Sequence, residues 1–127
     1  MMISRGILLI IEPDDDLRHD LEAYFSHQDF DVMSAASAED ALCVVKEVKP
    51  TVIVSEIDLG GHMNGWELAR ALLEDIRTSY LPIIFVTNRL QRLDRLAALR
   101  LGADDYLTKP IDLEELELRI DRTIRRL

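Results

Sequence analysis

The chain has 127 residues, of which 48% are hydrophobic, and its 24 acidic and 15 basic side chains give a formal net charge of −9. This length suits one domain with a substantial core, and the negative charge argues against direct binding to nucleic acid. Its single cysteine excludes an internal disulfide, while signal-peptide patterns and apolar runs of ~18 residues are absent, so we expect a cytoplasmic protein with no membrane partner.

Short apolar stretches predict the strands of a sheet. Residues 7–11, ILLII, form a run that is too short for a helix and rich in β-branched residues, which favours a strand buried on both faces. Similar stretches follow at about residues 31–35, 52–54, 83–86 and 105–108. Five strands are therefore predicted.

Helical signals alternate with these strands. Four predicted starts carry acidic or capping residues, at Asp14 to Asp16, Ser37, Asn64, and Asp112 after Pro110. The fourth helix is predicted from about Arg89 to Arg100. The second helix should stop before Pro50 and the fourth at Gly102. The apolar residues predicted to face the core are Leu17, Leu21, Tyr24, Phe25, Ala41, Leu42, Val45, Val48, Leu68, Leu72, Ile76, Leu113, Leu116, Ile120 and Ile124. Cys43 is interpreted as a small buried residue of the second helix.

This alternation predicts an α/β fold, with a doubly wound parallel sheet of five strands between two layers of helices. In such sheets, functional groups gather at the carboxyl ends of the strands. The third strand ends at Ser55-Glu56-Ile57-Asp58, before a glycine-rich turn, so it brings the Glu56 carboxylate to that edge. The three histidines, His19, His27 and His62, share no metal-ligand spacing and are interpreted as surface residues.

Together, five stretches resemble the receiver domain of two-component response regulators, and the resemblance covers residues 1–127 as a single domain. The stretches are ILLIIEPDDDLR, PTVIVSEIDLGG followed by MNGWEL, LPIIFVTN, LGADDYLTKP and IDLEELELRI. The resemblance implies a flavodoxin-like fold with strand order 2-1-3-4-5 and a site above strands one, three, four and five.

The same resemblance implies the chemistry of the site. Receivers use an Asp nucleophile after strand three and a Mg²⁺ ion held by an acidic pair after strand one. They also use a hydroxyl after strand four, a lysine after strand five and an aromatic residue that changes rotamer. The last three positions are matched by Thr87, Lys109 and Tyr106.

The two positions that carry the reaction differ from the family pattern. Glu56 occupies the nucleophile position, and Glu12 with Pro13 occupies the acidic pair, so one metal ligand is replaced by proline. The loop after Glu56 is one residue longer than usual, with Gly60 where proline is usual. The extra methylene of Glu shifts its carboxylate by about 1 Å, and such a misplacement can cost on the order of a hundredfold in rate.

We therefore expect a receiver that is not an enzyme, needs no cofactor and does not undergo ordinary aspartyl phosphorylation. Mg²⁺ binding should be weakened, with Glu12 and Asp14 as the remaining candidate ligands. Glu56 either pairs with Lys109 and mimics the phosphorylated state, or is tolerated in a decayed pocket. The alternative is a working phosphoacceptor that uses Asp58 or another nearby carboxylate, with Mg²⁺ held partly by Asp14.

The resemblance also implies protein partners, namely a sensor histidine kinase or a downstream effector. The fourth helix, fifth strand and fifth helix would form the binding surface, which could also pair two copies as a homodimer. Its candidate charged residues are Arg89, Arg92, Arg95, Arg100, Asp104, Asp105 and Asp121. A nucleotide or FMN carrier of similar topology is disfavoured, because acidic residues replace a phosphate-binding loop after strand one.

Overall fold

A computed structural model describes residues 3–126. Within this range the strands are β1 (Ile7–Ile11), β2 (Asp31–Ala35), β3 (Val52–Ser55), β4 (Ile83–Thr87) and β5 (Asp105–Thr108). The helices are α1 (Asp15–His27), α2 (Ala38–Glu47), α3 (Gly65–Glu74), α4 (Arg92–Leu101) and α5 (Leu113–Arg125). All strand pairings are parallel and the order is β2-β1-β3-β4-β5, which confirms the predicted fold.

The sheet separates two apolar cores. One core lies under α2, α3 and α4, and includes Ala41, Leu68 and Ala98. The other lies under α1 and α5, where Phe25 and Leu116 are fully buried. Because helices cover both faces, the inner strands read as continuous apolar runs rather than as alternating ones.

Side chains and one glycine fix the helix ends where the sequence predicts them. The Asp14, Ser37 and Asp112 side chains each accept a hydrogen bond from the third following backbone N–H. Asn64 and Glu67 form a reciprocal capping box at the start of α3. Gly102 ends α4 in the left-handed conformation, with φ 113°, which glycine adopts without a steric penalty.

Three local predictions are wrong. Cys43 is exposed, because two helical residues turn the chain by about 200° and so place it opposite the buried Ala41. Ile76 is 89% exposed, since α3 ends at Glu74 and the helical period does not continue to it. Helix α4 begins at Arg92 rather than near residue 89.

The Trp66 ring packs edge-on against Phe85, with their centroids 5.4 Å apart, and so joins the core under α3.

In residues 3–126, every helix is too short or too polar to cross a membrane.

Candidate functional site

Four predicted site residues meet at the carboxyl edge of the sheet. Parallel pairing aligns Ile11 with Ser55, so the next residues, Glu12 and Glu56, leave their strands at the same level. Thr87 is the last residue of β4. Lys109 directly follows β5. The topology therefore places two acids, a hydroxyl and an ammonium group around one crevice.

Lys109 lies between the two acids. Its Nζ donates to Glu12 Oε1 at 2.6 Å and to Glu56 Oε1 at 3.0 Å. The side chains of Glu12 and Glu56 are only 5% and 4% exposed, and that of Lys109 is 13% exposed. Burial acts to lower the pKa of Lys109, but its hydrogen bonds to Glu12 and Glu56, together with the negative charges of both acids, raise that pKa overall. One cation thus neutralises two buried carboxylates only in part.

The second oxygen of Glu56 is held by the backbone that follows it. Glu56 Oε2 accepts hydrogen bonds from the amides of Ile57 and Asp58, the latter at 3.1 Å. The end of the loop after β3 lies against its beginning, because Gly65 N donates to Ile57 O at 2.8 Å. A Cβ on Gly65 would lie 2.5 Å from Glu56 O, so only glycine fits there without movement. Both carboxylate oxygens of Glu56 are therefore fixed.

The side chains of Glu12 and Asp14, the predicted metal ligands, are engaged in other contacts. Glu12 Oε2 accepts from Asp14 N at 3.0 Å, while the Asp14 carboxylate caps α1 by accepting from Leu17 N at 3.1 Å. Pro13 supplies no side-chain oxygen. In the described part of the chain, no three His, Cys, Asp or Glu side chains are grouped so that they could hold an ion. As arranged, these carboxylates do not fit Mg²⁺, which requires near-octahedral oxygen ligands.

The hydroxyl and the aromatic residue lie beside this cluster rather than in it. Thr87 is fully buried, and its hydroxyl oxygen accepts from Arg89 N at 3.3 Å. Among residues 3–126, no hydrogen bond joins Thr87 to Glu56. Tyr106 is 6% exposed, and its hydroxyl donates to Arg89 O at 2.8 Å. Burial, with a smaller effect of the Asp94 charge, raises the pKa of Tyr106.

Asp58 is paired with a residue that sequence reasoning did not place at the site. Arg89 Nη2 donates to Asp58 Oδ1 at 2.7 Å, and its Nε lies 3.1 Å from each oxygen of the same carboxylate. A longer contact of 3.4 Å joins Arg89 to Asp94. Two strands that are adjacent in the sheet bring these loops together, and sequence spacing carries no signal for that contact.

The acids predicted for an intermolecular charged surface are already engaged within the chain. Asp105 pairs with Arg119 at 3.0 Å and with Arg122 at 3.4 Å. Asp104 accepts from the Ile83 amide, and Asp121 pairs with an N-terminal arginine. Each of these acids therefore already has a partner within the chain, and their pairing with arginines of another molecule stays a prediction.

The three histidines are exposed, as predicted. None of them belongs to a group that could bind a metal within the described residues. His62 lies in the loop after β3 and the other two lie in α1, and none of the three forms a side-chain hydrogen bond or ion pair with Glu12, Glu56 or Lys109 in the described structure.

Known proteins resemble the chain in sequence and in structure. The profile of the response regulator receiver domain matches residues 8–121. Transcriptional regulatory protein AfsQ1 of Streptomyces coelicolor is 40% identical over 119 residues, which are 94% of this chain and 51% of AfsQ1. Protein PilH of Pseudomonas aeruginosa is 34% identical, over 86% of this chain and 89% of PilH. A two-component response regulator from Clostridium difficile superposes with a TM-score of 0.88 and 29% identity, covering 96% of this chain and 98% of its own.

Proposed function

Because the chain belongs to the response regulator receiver domain family, we propose that it is an atypical receiver that signals by binding other proteins. In this proposal it does not undergo ordinary aspartyl phosphorylation and is not an enzyme. Glu56 supplies a permanent carboxylate at the position where receivers are phosphorylated. Mg²⁺ binding is weak, and the domain needs no other cofactor.

The contact of Lys109 with both Glu12 and Glu56 carries this proposal. Each oxygen of Glu56 is already hydrogen-bonded, one to Lys109 and the other to two backbone amides. A phosphoryl group would add negative charge to a buried cluster that already holds two carboxylates and one ammonium group. Phosphoryl transfer depends on cations to stabilise that charge, and the acidic pair that would bind Mg²⁺ is incomplete at Pro13.

The proposal treats Glu56 as a mimic rather than as a remnant. Its carboxylate reaches Lys109 at 3.0 Å without a phosphoryl group, and Tyr106 lies buried beside the crevice. Both features favour a receiver that Glu56 holds permanently in the state that phosphorylation would otherwise produce. The hydroxyl of Thr87 accepts from the Arg89 amide and makes no hydrogen bond to Glu56 or Lys109 among the described residues.

The alternative is phosphorylation of Asp58 with help from Asp14, and it has less support. Both carboxylate oxygens of Asp58 accept hydrogen bonds from Arg89, and among the described residues Asp58 forms no hydrogen bond or ion pair with Lys109. Asp14 caps a helix. Nucleophilic attack by Asp58 would therefore require this ion pair to break first.

We place the partner surface on α4, β5 and α5, where a sensor histidine kinase, a downstream effector or a second copy of the chain would bind. Three leucines are largely exposed at this surface, namely Leu93 of α4 at 71%, Leu118 of α5 at 67%, and Leu90 just before α4 at 72%. A groove of about 460 Å³ runs past Tyr106, and its charged lining residues are Arg92, Arg95, Arg119, Asp112 and Glu115. Exposed leucines beside a groove with charges of both signs favour a protein partner that has apolar and charged side chains.

Intact mass after incubation with acetyl phosphate and Mg²⁺ tests the proposal. The natural chain should gain no phosphoryl group. The variant carrying Glu56→Asp and Pro13→Asp restores the family residues and should gain one, which makes it the matched positive control. A phosphoryl group on the natural chain would refute the proposal, and its loss in Asp58→Asn would assign the reaction to the alternative acceptor.

Partner binding distinguishes the mimic from a decayed pocket. Capture of kinase or effector by the natural chain should be weakened by Glu56→Ala, because the Lys109 pairing is lost. Equal capture by the natural chain, Glu56→Asp and Glu56→Ala would show that residue 56 sets no signal.

A further inference from the structure

Arg89 contacts three parts of the site at once. Its guanidinium binds Asp58, which lies in the loop after β3, and its carbonyl accepts from the Tyr106 hydroxyl on β5. Its amide donates to Thr87 at the end of β4. A single residue of the loop after β4 therefore ties together the ends of three strands.

Asp58 is in turn positioned by Glu56. The amide of Asp58 donates to Glu56 Oε2 at 3.1 Å, so the Glu56 carboxylate holds the backbone from which the Asp58 side chain projects. Direct contacts thus run from Glu56 to Asp58, from Asp58 to Arg89, and from Arg89 to Tyr106. The Thr87 hydroxyl lies beside this series, because it faces the Arg89 amide.

We infer that Arg89 is a positioning residue that couples the carboxylate of residue 56 to the buried position of Tyr106 through Asp58. This inference rests on the proposed function, since it describes how a permanent carboxylate would set the α4–β5–α5 surface. When residue 56 no longer holds the Asp58 amide, the Asp58–Arg89 pair loosens. The loop after β4 then moves, and the Tyr106 hydroxyl loses its acceptor.

The exposure of the pair suits it to this role. Arg89 and Asp58 side chains are 39% and 57% exposed, and ion pairs in contact with water contribute little to global stability. The geometry is nevertheless specific, because the guanidinium approaches both oxygens of one carboxylate. Breaking the pair should therefore change the local arrangement while the domain stays folded.

A fluorine label on tyrosine reports this local change. The chain has three tyrosines, so 3-fluorotyrosine gives three ¹⁹F resonances, and Tyr106→Phe identifies the one of interest. Arg89→Gln and Asp58→Asn should each shift the Tyr106 resonance toward its value in the unfolded chain. Arg89→Lys, which keeps the charge but not the two-pronged geometry, should give a smaller shift.

Arg77→Gln is the matched control. Arg77 is also an exposed arginine paired with an aspartate, at 2.8 Å from Asp75, but it lies beyond α3 and away from the site. The Arg77→Gln variant should leave the Tyr106 resonance unchanged. The double variant Arg89→Gln with Asp58→Asn should shift the resonance no further than either single variant, because both remove the same contact.

An unchanged Tyr106 resonance in Arg89→Gln would overturn the coupling, as would shifts that add fully in the double variant. Exchanging the two residues, Asp58→Arg with Arg89→Asp, should move the resonance back toward its original position. These outcomes are separate from phosphorylation. A phosphoryl group on the natural chain would refute the proposed function, whereas the Tyr106 resonance tests the relay alone.

Discussion

Replacing Lys109 with methionine removes the only cation that pairs with the carboxylates of Glu12 and Glu56 in the described structure. Methionine keeps a similar length and apolar stem, so the change mainly deletes the ammonium group. Glu12 and Glu56 would then be left facing each other at about 5% exposure without a positive partner. Removing one member of a buried ion pair usually costs about 3–5 kcal/mol, because the remaining charge is neither solvated nor paired. Since Lys109 is 13% exposed, we expect a loss near the lower limit, about 3 kcal/mol in the free energy of unfolding near neutral pH.

The pH dependence has a definite sign. The pKa of Lys109 is raised above its ordinary value of 10.5, with its hydrogen bonds to Glu12 and Glu56 and the negative charges of both acids together outweighing the opposite effect of burial. A raised pKa on a basic group adds stability that is complete below pH 10.5 and is lost as the pH rises through the folded value. Lys109→Met should therefore differ from the natural chain most near neutral pH and less at more alkaline pH.

Urea denaturation of both proteins across this pH range measures the difference. Lys49→Met is the matched control, because Lys49 is exposed and makes no ion pair in the described residues, and its effect should stay within about 0.5 kcal/mol. Adding Glu56→Gln to Lys109→Met should recover part of the loss, since it removes one unpaired charge. A loss no larger than that of Lys49→Met would refute the view that Lys109 holds the two acids.

Three further predictions concern other parts of the chain. Gly65→Ala should lower the free energy of unfolding by about 2 kcal/mol, measured in urea, because its new Cβ would lie 2.5 Å from Glu56 O. The hydrogen bond to Glu117, with burial, raises the pKa of Tyr24 to about 12. The contribution of Tyr24 to the stability of the folded state is thus complete below pH 10 and is lost toward pH 12. In thermal melting, the melting temperature of Tyr24→Phe should therefore fall less between pH 10 and pH 12 than that of the natural chain. Cys43 is exposed and should react with a thiol reagent in the folded protein as fast as in urea, and strong protection would contradict its placement.

Strong local signals predicted most of the fold. Apolar runs marked the strands, and capping residues marked the helix starts, because both features act within a few residues of chain. The predicted burial of two residues was wrong, because the spacing of apolar residues along the sequence did not match the buried face or the length of the helix. Cys43 stands among apolar neighbours on α2 but on the outer side, and Ile76 continues a period that α3 does not reach.

The sequence predicts which side chains gather at this edge and suggests the contact of Glu56 with Lys109, but it does not predict the other contacts. Strand order brings Glu12, Glu56 and Lys109 to one edge, and their pairing follows from charge once they are close. The contact of Asp58 with Arg89 depends on two loop conformations, for which the sequence carries no periodic or capping signal. Likewise, Thr87 is where the family pattern places it, but its hydroxyl accepts from Arg89 rather than reaching Glu56.

The departures at Pro13 and Glu56 have a joint physical consequence. With proline in the acidic pair, a divalent cation loses a ligand, and the acids that remain depend more on Lys109 for neutralisation. The longer side chain of Glu56 allows one oxygen to reach Lys109 while the other accepts two amides of its own turn. A lysine cannot leave the site as a metal ion can. Under the proposed function, lysine is the resident cation and holds the carboxylates in place continuously, as a fixed signal requires.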